Sequence, residues 1–573
     1  MFSTIKNASK LVCIKKLLPV SFRCSSFGNE KGVIKSTFPD VEIPNISITE
    51  CIFKNFHKFP QKIAVECSST GRKYTYEDVL IKSRNFNRVL RKIFKLVPRD
   101  VVAIVLPNIP EYSICVYGCL DANLVITTIN PTYTADEISK QLLDTDAKLV
   151  ITLTTLYSVV DESLKLTNRR IPILTVKTEE SESLPREAIN LHELLNTNVD
   201  IEDIPLPNSN DLAILPYSSG TTGLPKGVQL THRNIVANFA QVEHPDIKIY
   251  TETSDTHQDV VPAMLPFFHI FGFSALVVAH MAALNKIVTV LKFAPDTFTN
   301  LLKTYKPHTL FAVPSMINFI SNYVHIKSED LKSLRTVVSG AAPLSGKDEE
   351  KLLKKAASDL VIKQGYGLTE TSPVILLTTN RTLKLCTPGS VGEVLSNTKV
   401  KLVNKDNKLV LDANEPGELL VKGPQVMRSY FKRPEESRNA FADGYFKTGD
   451  LCYYDENKSF YIIERLKDLI KVKGFQVAPA ELEDILRTHP DVVDAGVIGV
   501  SHSKYGEVPK AYIVPKPNCT VKTDEILGYV TKRVVNYKRL IGGLSVIDNI
   551  PKNAAGKILR KDLQQLHKEE MKL

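Results

Sequence analysis

The most distinctive stretch of this chain is Tyr217-Ser218-Ser219-Gly220-Thr221-Thr222-Gly223-Leu224-Pro225-Lys226-Gly227-Val228. It lies between an apolar segment at residues 212–215, which predicts a buried strand, and residues 231–234, which predict the start of a helix. Its glycines allow backbone N–H groups to turn toward an anion, its four Ser and Thr hydroxyls donate hydrogen bonds, and Lys226 supplies a positive charge. The stretch therefore predicts a loop that binds the phosphates of a nucleoside triphosphate.

The order of residues in this loop separates it from the Walker-type nucleotide loop. A Walker loop requires Gly-Lys followed by Ser or Thr at the start of its helix, whereas this chain has Lys226-Gly227-Val228. A Walker-type NTPase is therefore not expected. The remaining alternative is a plain flexible turn, and the detail of the whole string argues against it.

Length and composition indicate a soluble protein of several domains. At 573 residues the chain is too long for one ordinary core. Its composition, 43% hydrophobic and 24% charged, is that of a globular protein. No segment has the length and purity of a membrane span, because the best candidate, residues 273–284, is interrupted by His280 and soon followed by Lys286. That candidate predicts a buried helix or a pair of strands.

Positive charge is concentrated at the beginning of the chain. Residues 1–28 contain no acid and account for half of the net charge of +10, through Lys6, Lys10, Lys15, Lys16 and Arg23. Serines and apolar residues alternate with these cations, so residues 1–35 are expected to be a mitochondrial targeting leader, with a disordered basic tail as the alternative. The terminal Met571-Lys572-Leu573 leaves a peroxisomal address open. Because half of the excess charge lies in the leader and no recognised nucleic-acid module occurs in the sequence, nucleic-acid binding is not expected.

The nine cysteines do not form a metal or disulfide pattern. No Cys-x-x-Cys pair occurs, and the closest two, Cys115 and Cys119, fit an apolar helix face. Reduced structural thiols in an intracellular compartment are expected.

Hydrophobic patterning divides the rest of the chain into an α/β part and a smaller terminal part. Apolar runs at residues 101–106, 124–129 and 149–153 alternate with helical stretches, and a similar block follows the phosphate loop, so two doubly wound α/β subdomains are predicted. Short alternating strands after about residue 388 predict a small antiparallel barrel or sheet. We expect residues 36–466 to form an N-terminal domain and residues 467–573 to form a separate α+β domain.

Five further strings accompany the phosphate loop in a fixed order. They are Gln364-Gly365-Tyr366-Gly367-Leu368-Thr369-Glu370, Tyr445-Phe446-Lys447-Thr448-Gly449-Asp450, Arg465-Leu466-Lys467-Asp468, Lys473-Gly474-Phe475-Gln476 and Asn553-Ala554-Ala555-Gly556-Lys557. From about residue 45 to residue 565 the chain resembles the ATP-dependent adenylate-forming superfamily of acyl-CoA synthetases, 4-coumarate–CoA ligases and beetle luciferases. The resemblance implies a large N-terminal domain followed by a mobile C-terminal lid, here residues 467–573. It also implies that a carboxylic acid and ATP form an acyl-AMP, whose acyl group then passes to the thiol of coenzyme A.

The resemblance assigns an ATP and Mg²⁺ site to named positions. Thr221, Thr222 and Lys226 would hold the β- and γ-phosphates, Thr369 and Glu370 the α-phosphate, and Glu370 with Thr222 the Mg²⁺, which needs few protein carboxylates. Asp450 would accept hydrogen bonds from the ribose, with Arg465 beside it. The full set of expected ATP-binding residues is Ser218, Ser219, Gly220, Thr221, Thr222, Gly223, Lys226, Gly340, Ala341, Ala342, Pro343, Gln364, Gly365, Tyr366, Gly367, Asp450 and Arg465.

The lid residues have two roles by the same resemblance. Lys557, on a flexible loop, would bridge the carboxylate and the phosphate during adenylation, and Lys467 would be the hinge about which the lid rotates. After rotation the coenzyme A side of the lid would present Lys471, Lys473, Gly474 and Gln476. Without the resemblance, the residues of this hinge segment predict only a basic linker.

The acyl pocket is the least determined part of the site. By the same resemblance, His269 would be catalytic, standing near the acyl carboxylate or gating its tunnel. The expected lining of the pocket is His269, Phe271, Gly340, Gly365, Pro373 and Val374. An apolar pocket with small residues favours a medium- or long-chain fatty acid. An aromatic acid of the 4-coumarate type and a luciferase-like monooxygenase remain open, as does a catalytically inactive nucleotide-binding protein.

Each key residue also has a purely structural interpretation. Asp450 could be a turn acid, Glu370 a helix cap, Arg465 a surface cation and His269 a core histidine. Their joint occurrence in family order favours the functional interpretation.

Overall fold

The computed structural model describes residues 32–179, 181–218, 225–385, 388–472, 475–517, 519, 521–554 and 556–572. Most of the predicted leader, at residues 1–31, lies outside these ranges. So do seven predicted site residues, which are Ser219, Gly220, Thr221, Thr222, Gly223, Lys473 and Gly474.

A largely parallel sheet forms the first α/β subdomain. Its strands Val101–Val105 and Leu149–Leu153 are buried throughout, as expected for parallel strands covered on both faces. The order across the sheet is Tyr217–Ser218, Lys226–Thr231, Leu212–Ile214, Val125–Thr128, Val101–Val105, Leu149–Leu153, Ile173–Val176 and Ile189–Asn190, and Ser429–Tyr430 pairs with Lys226–Thr231. The predicted strand at residues 212–215 is confirmed.

Two smaller sheets form the second α/β subdomain. One has the order Val260–Ala263, Lys286–Thr289, Ile63–Cys67 and Lys73–Thr75. The other has the order Thr309–Ala312, Thr336–Ser339, Val361–Gly367, Val374–Leu377 and Glu393–Val394, and its first three strands are parallel. Together with the first sheet they confirm the predicted α/β fold.

The antiparallel sheet after residue 388 is open. Its order is Ile34–Lys35, Lys399–Val403, Gly417–Lys422, Tyr445–Tyr454 and Phe441–Ala442, with Leu409–Val410 and Phe460–Arg465 paired at its sides. Among the described residues the two ends do not pair, so the predicted barrel is wrong in its closed form. The strand Ile34–Lys35 pairs with Lys399–Val403, so a paired strand lies inside the expected leader, whose predicted end is residue 35.

The lid contains its own mixed sheet. The order is Phe475–Val477, Ile470–Val472, Gly506–Pro515 and Val492–His502, and Leu544–Val546 runs parallel to Gly506–Pro515. The helices Pro479–Arg487, Thr523–Thr531 and Arg560–Glu570 belong to the same region. The expected boundary near Lys467 lies in the connection between Phe460–Arg465 and Ile470–Val472.

Helices cover the sheets of the N-terminal part. They are Ile48–Phe53, Tyr76–Lys92, Glu111–Asp121, Ala135–Thr145, Tyr157–Leu166, Leu191–Leu195, His232–Val242, Ile270–Gly272, Pro295–Tyr305, Pro314–Asn322, Ser328–Leu331, Gly346–Ala356 and Pro434–Asn439. Short 3₁₀ turns occur at Phe56–Lys58, Thr154–Leu156, Thr369–Thr371, Thr382–Lys384 and Asn536–Lys538.

Two helices test particular sequence predictions. His232–Val242 begins as predicted, because Thr231 caps it in a reciprocal capping box with Asn234. The apolar candidate at residues 273–284 is a helix rather than a pair of strands, and its first part is the π-helix Phe273–His280. Within the ranges that the structure describes, no helix has the length and apolar character needed to cross a bilayer.

Candidate active site

One cleft of about 1500 Å³ lies where the lid faces both α/β subdomains. Most of the predicted site residues that the structure describes line it. They are Ser218, Lys226, His269, Phe271, Gly340, Ala341, Ala342, Pro343, Gly365, Tyr366, Gly367, Thr369, Glu370, Pro373, Val374, Asp450, Arg465 and Lys557. The fold thus gathers residues that are more than 300 positions apart in sequence, as between Ser218 and Lys557.

Asp450 is held between an aromatic hydroxyl and a guanidinium. The Tyr366 hydroxyl donates to Oδ2 of Asp450 over 2.5 Å, and Nε of Arg465 lies 3.2 Å from Oδ1. Asp450 and Arg465 are directly opposite each other on neighbouring antiparallel strands. Although burial opposes it, the neighbouring Asp450, Tyr366 and Glu370 raise the pKa of Arg465. The carboxylate is therefore held in one orientation, and it retains lone pairs that can accept hydrogen bonds from further hydroxyl groups.

Glu370 is a nearly buried carboxylate, 6% exposed, at the phosphate end of the cleft. The hydroxyls of Ser218 and Tyr430 donate to its Oε1 over 2.9 and 3.0 Å. The Lys226 ammonium lies 5.2 Å from the centre of the Tyr430 ring. Lys226 begins the strand Lys226–Thr231, which differs from its predicted place in the loop itself. The arrangement places a cation and a carboxylate around one tyrosine.

Two glycines allow close packing beside the cleft. A Cβ atom at Gly367 would lie 1.8 Å from the Pro373 carbonyl oxygen, so no side chain fits there. A Cβ atom at Gly340 would lie 2.9 Å from Cε1 of Phe271. Because they carry no side chain, Gly367 and Gly340 let the backbone and the Phe271 ring approach closely between the expected nucleotide and acyl regions.

Lys557 extends from the lid into the cleft. Its own loop is closed by two hydrogen bonds of 2.9 Å, one from Asn553 N–H to the Lys557 carbonyl and one from Lys557 N–H to Oδ1 of Asn553. Beside it, Gly556 has a φ of +74°, and a Cβ atom there would lie 2.9 Å from Cγ2 of Val313 in the N-terminal part. Burial, and then the nearby Arg465, lower the pKa of Lys557 to about 8, against the opposing effect of Asp468 and Asp450.

His269 and Phe271 lie at the apolar end of the cleft. Nδ1 of His269 accepts the Phe271 N–H over 3.3 Å, which caps the start of the helix at Ile270. Burial lowers the pKa of His269 to about 4, so the imidazole is neutral at physiological pH. The Phe271 ring packs edge to face on Phe311, with 6.0 Å between ring centres. This end of the cleft suits an apolar group next to an uncharged histidine.

Some predicted residues lie elsewhere in the structure. Gln364 faces away from the cleft, because its side-chain amide donates to the Leu344 carbonyl and to Glu349. In this orientation of the lid, Lys467 and Lys471 do not line the cleft, and Gln476 belongs to the strand Phe475–Val477, which pairs with Lys471. The side chain of Gln364 points away because side chains alternate along a strand and Gly365 takes the inward position. Its assignment to the ATP site stays a prediction.

Tyr430 and Lys363 are two of the cleft residues that were not predicted from the sequence. Tyr430 lies far from every motif, so only the pairing of Ser429–Tyr430 with Lys226–Thr231 reveals it. Lys363 also lines the cleft. The period of two residues along Val361–Gly367 could have found it, because Lys363 and Gly365 share one face of the strand.

The comparison with known families matches this geometry. The model for the AMP-binding enzyme matches residues 52–431, and the model for the AMP-binding enzyme C-terminal domain matches residues 481–557. The chain belongs to the AMP-binding enzyme family. The predicted membership of the adenylate-forming superfamily is therefore confirmed.

Relatives of this AMP-binding enzyme cover almost its whole length. The 4-coumarate–CoA ligase 1 of Petroselinum crispum is 35% identical over 542 residues, which are 93% of this chain and 97% of the relative. The probable 4-coumarate–CoA ligase 1 of Dictyostelium discoideum is 34% identical over 544 residues, with coverage of 93% and 97%.

A solved structure shows the same architecture. The o-succinylbenzoate CoA synthetase of Bacillus subtilis, in complex with its acyl-adenylate intermediate OSB-AMP, gives a TM-score of 0.74 and 26% identity over 90% of this chain and 98% of that chain. The enzyme is an AMP-forming acid–CoA ligase, with ATP and coenzyme A as co-substrates and Mg²⁺ as the metal of the family. The predicted enzyme class is confirmed, and the relatives favour the aromatic alternative over a fatty acid.

Proposed function

We propose that this AMP-binding enzyme activates an aromatic acid of the 4-coumarate type and transfers it to coenzyme A. The observation that supports this proposal is the 34 to 35% identity with 4-coumarate–CoA ligases from a plant and from Dictyostelium, over more than nine-tenths of the chain. The expectation of a fatty acid came from apolarity alone, and an aromatic ring satisfies apolarity equally well.

The walls of the acyl end support an aromatic substrate. Gly340 and Gly365 leave a thin floor, and the Phe271 and Phe311 rings stand in an edge-to-face pair at its side. Aromatic rings prefer offset or edge contacts of this kind with other rings. A flat substrate ring therefore fits between the glycine floor and the phenylalanines.

The first half-reaction is the attack of the substrate carboxylate on the α-phosphorus of ATP. A carboxylate oxygen forms a bond to phosphorus, the bond from phosphorus to the bridging oxygen breaks, and pyrophosphate leaves. Both reactants are anionic, so charge neutralisation and alignment carry the catalysis. Lys557 neutralises the developing charge, Lys226 and the phosphate loop hold the departing phosphates, and Asp450 orients the ribose.

Glu370 fits the role of protein ligand to Mg²⁺. Mg²⁺ is bound through one or two carboxylates together with phosphate oxygens and water. The hydroxyls of Ser218 and Tyr430 both donate to Oε1 of Glu370, so Oε2 is the oxygen that we assign to the metal. Mg²⁺ held there would offset phosphate charge, and the hydrogen bond from Tyr430 keeps the Glu370 carboxylate oriented.

The second half-reaction transfers the acyl group. The lid rotates about Lys467, which withdraws Lys557 and brings Lys471, Lys473, Gly474 and Gln476 toward the adenylate. The thiol of coenzyme A loses its proton to solvent and its sulfur attacks the acyl carbon. The bond from that carbon to the AMP oxygen then breaks, and AMP leaves. Domain rotations of this kind commonly separate the steps of an enzyme.

A panel of acids tests this function. Purified enzyme with ATP, Mg²⁺ and coenzyme A is given 4-coumarate, cinnamate, benzoate, octanoate and hexadecanoate, and AMP and thioester are measured. We expect the highest kcat/KM with the cinnamate skeleton. Faster turnover of octanoate or hexadecanoate would establish the fatty-acid alternative. Light emission on addition of luciferin would indicate a monooxygenase.

The location of the enzyme in the cell is a separate proposal. The basic, acid-free residues 1–28 support import into mitochondria. Fluorescent fusions with and without residues 1–35 test it, and a peroxisomal signal from both fusions would favour the C-terminal address instead.

A further inference from the structure

Lys363 is a buried lysine on the substrate face of the strand Val361–Gly367. Side chains alternate along a strand, so Lys363 shares its face with Gly365, while Gln364 points the opposite way into the contact with Leu344. Lys363 is 2% exposed and is one of the residues that line the cleft. It thus lies two residues beyond the glycine floor of the acyl pocket, on the side away from the nucleotide.

The hydrogen bonds of Lys363 leave one donor for a ligand. Its Nζ donates to the Ile247 carbonyl over 3.3 Å and to Oδ1 of Asn380 over 2.9 Å. An ammonium has three donors. In the part of the chain that the structure describes, no carboxylate lies within ion-pair distance of Nζ, and burial alone lowers the pKa of Lys363 to about 8. A buried cation without a counter-ion is costly unless a ligand or another role compensates for it.

The surroundings of Lys363 are apolar or already paired. Ile247, Ile249 and Phe311 line the same cleft as Lys363, and the Ile247 carbonyl accepts a hydrogen bond from Lys363 Nζ. Glu243 also lines the cleft, and its carboxylate accepts a hydrogen bond of 2.5 Å from the Tyr250 hydroxyl. Burial raises the pKa of Glu243, against the effect of the hydrogen bond from Tyr250 and the charge of Lys248. Lys363 is therefore a buried cation that an incoming acceptor can reach.

We propose that Lys363 binds a hydrogen-bond acceptor at the end of the substrate opposite its reacting carboxylate. The inference rests on the proposed function and narrows it to acids with a distal oxygen, such as a phenol or a second carboxylate. From Gly367 to Lys363 the strand spans about 13 Å, four residues at about 3.3 Å each, which suits a substituted cinnamate better than benzoate. The deep end thus selects a distal acceptor as well as an apolar body.

The experiment compares pairs of acids that differ only at the far end. Wild type, Lys363→Met and Lys363→Gln are assayed with 4-coumarate against cinnamate and with octanedioate against octanoate, by pyrophosphate exchange. We expect the wild type to prefer the acceptor-bearing member of the pair that it uses, and Lys363→Met to reduce that preference about tenfold or more. Lys363→Gln keeps a donor and should retain part of the preference.

Lys355→Met is the matched control. Lys355 also donates to two backbone carbonyls, those of Ile320 and Tyr323, each over 2.7 Å, but it does not line the cleft. A preference that Lys363→Met leaves unchanged, or an equal fall for both members of a pair with a lower melting temperature, would make Lys363 a structural tie and overturn the inference. If only the aliphatic pair is used and its preference depends on Lys363, the inference stands and the aromatic substrate is wrong.

Discussion

Arg560, in the last helix of the lid, donates from Nη2 to Oε2 of Glu464 over 3.2 Å, and Glu464 precedes Lys467, the predicted hinge. The same guanidinium contacts Glu483 over 2.5 Å within the lid. The ion pair with Glu464 therefore crosses the predicted domain boundary at Lys467. It must break or rearrange if the lid rotates about Lys467, so it stabilises the orientation that places Lys557 in the cleft.

Glu464→Gln should weaken this orientation of the lid. Loss of a hydrogen bond to a charged group costs about 1.5 to 3 kcal/mol, so we expect pyrophosphate exchange to fall about tenfold. Thioester formation from preformed acyl-AMP should be unchanged or faster. Glu481→Gln is the control, because Glu481 pairs with Lys538 over 2.6 Å inside the lid. Equal loss of both half-reactions would show that Glu464 does not select a lid orientation.

The sequence predicts the parts of this enzyme that local chemistry controls. The capped helix at Thr231 and the buried strand at Leu212–Ile214 follow from residue type and spacing, and so does the α/β alternation. The residues from distant motifs meet in one cleft because the strand ends converge there. Family order, rather than any local pattern, indicated that convergence.

What the sequence does not predict depends on pairing between distant segments. Closure of the antiparallel sheet depends on whether its edge strands meet, and the short strands Ile34–Lys35 and Phe441–Ala442 do not. Tyr430 reaches Glu370 only through pairing of Ser429–Tyr430 with another strand. Gln364 was assigned to the nucleotide as part of a motif, although its side chain alternates away from the cleft.

Lys557→Ala should separate the two half-reactions. The ammonium lies in the cleft with Arg465 and Asp450 and would neutralise charge only while pyrophosphate leaves. We expect pyrophosphate exchange to fall by about a hundredfold or more, which corresponds to the loss of one preorganised donor. Thioester formation from preformed acyl-AMP should stay within about threefold. Lys568→Ala, on the exposed face of the last helix, is the control.

The pH dependence of adenylation should report the same lysine. Burial lowers the pKa of Lys557 from its ordinary value of 10.5 to about 8, so the active charged form is lost as pH rises through about 8. We expect kcat/KM for pyrophosphate exchange to decline above that pH, since kcat/KM reports the free enzyme. Lys557→Arg should keep its charge and show no such decline.

The lowered pKa of Lys557 has the opposite effect on stability, because the unfolding free energy should rise with pH where adenylation declines. Between about pH 8 and 10.5 the unfolded chain holds the proton on Lys557 that the folded chain has released. The unfolding free energy contributed by this group therefore rises with pH across that window. Urea titrations of the wild type and Lys557→Met at about pH 7.5 and about pH 9.5 test this. The unfolding free energy of the wild type should rise relative to that of the variant between the two pH values. A relative loss would contradict the lowered pKa.

Asp450→Asn should weaken ATP binding through the ribose. Tyr366 and Arg465 hold Asp450 in one orientation. A hydrogen bond to a carboxylate is worth about 1.5 to 3 kcal/mol. We expect the KM for ATP to rise about tenfold or more. The wild type should discriminate against 2′-deoxy-ATP and the variant should not. The four combinations of enzyme and nucleotide form a double-mutant-type cycle that isolates the contact between Asp450 and the ribose. Asp443→Asn, at an exposed partner of Lys401, is the control.

Gly340→Ala should narrow the acyl pocket. The added Cβ would lie 2.9 Å from Cε1 of Phe271, so the ring must move toward the space that the substrate occupies. We expect kcat/KM for 4-coumarate to fall about tenfold, because overpacking of this kind costs about 1 to 3 kcal/mol. The KM for ATP should change little.

Two further variants separate the pocket from general strain. Gly528→Ala is the control, since a Cβ atom there meets nothing within 4 Å. Gly340→Ala combined with Phe271→Leu replaces the ring by a smaller side chain, so activity with 4-coumarate should partly return. If the double variant is no better than Gly340→Ala while the KM for ATP rises, Gly340 serves the nucleotide rather than the acid.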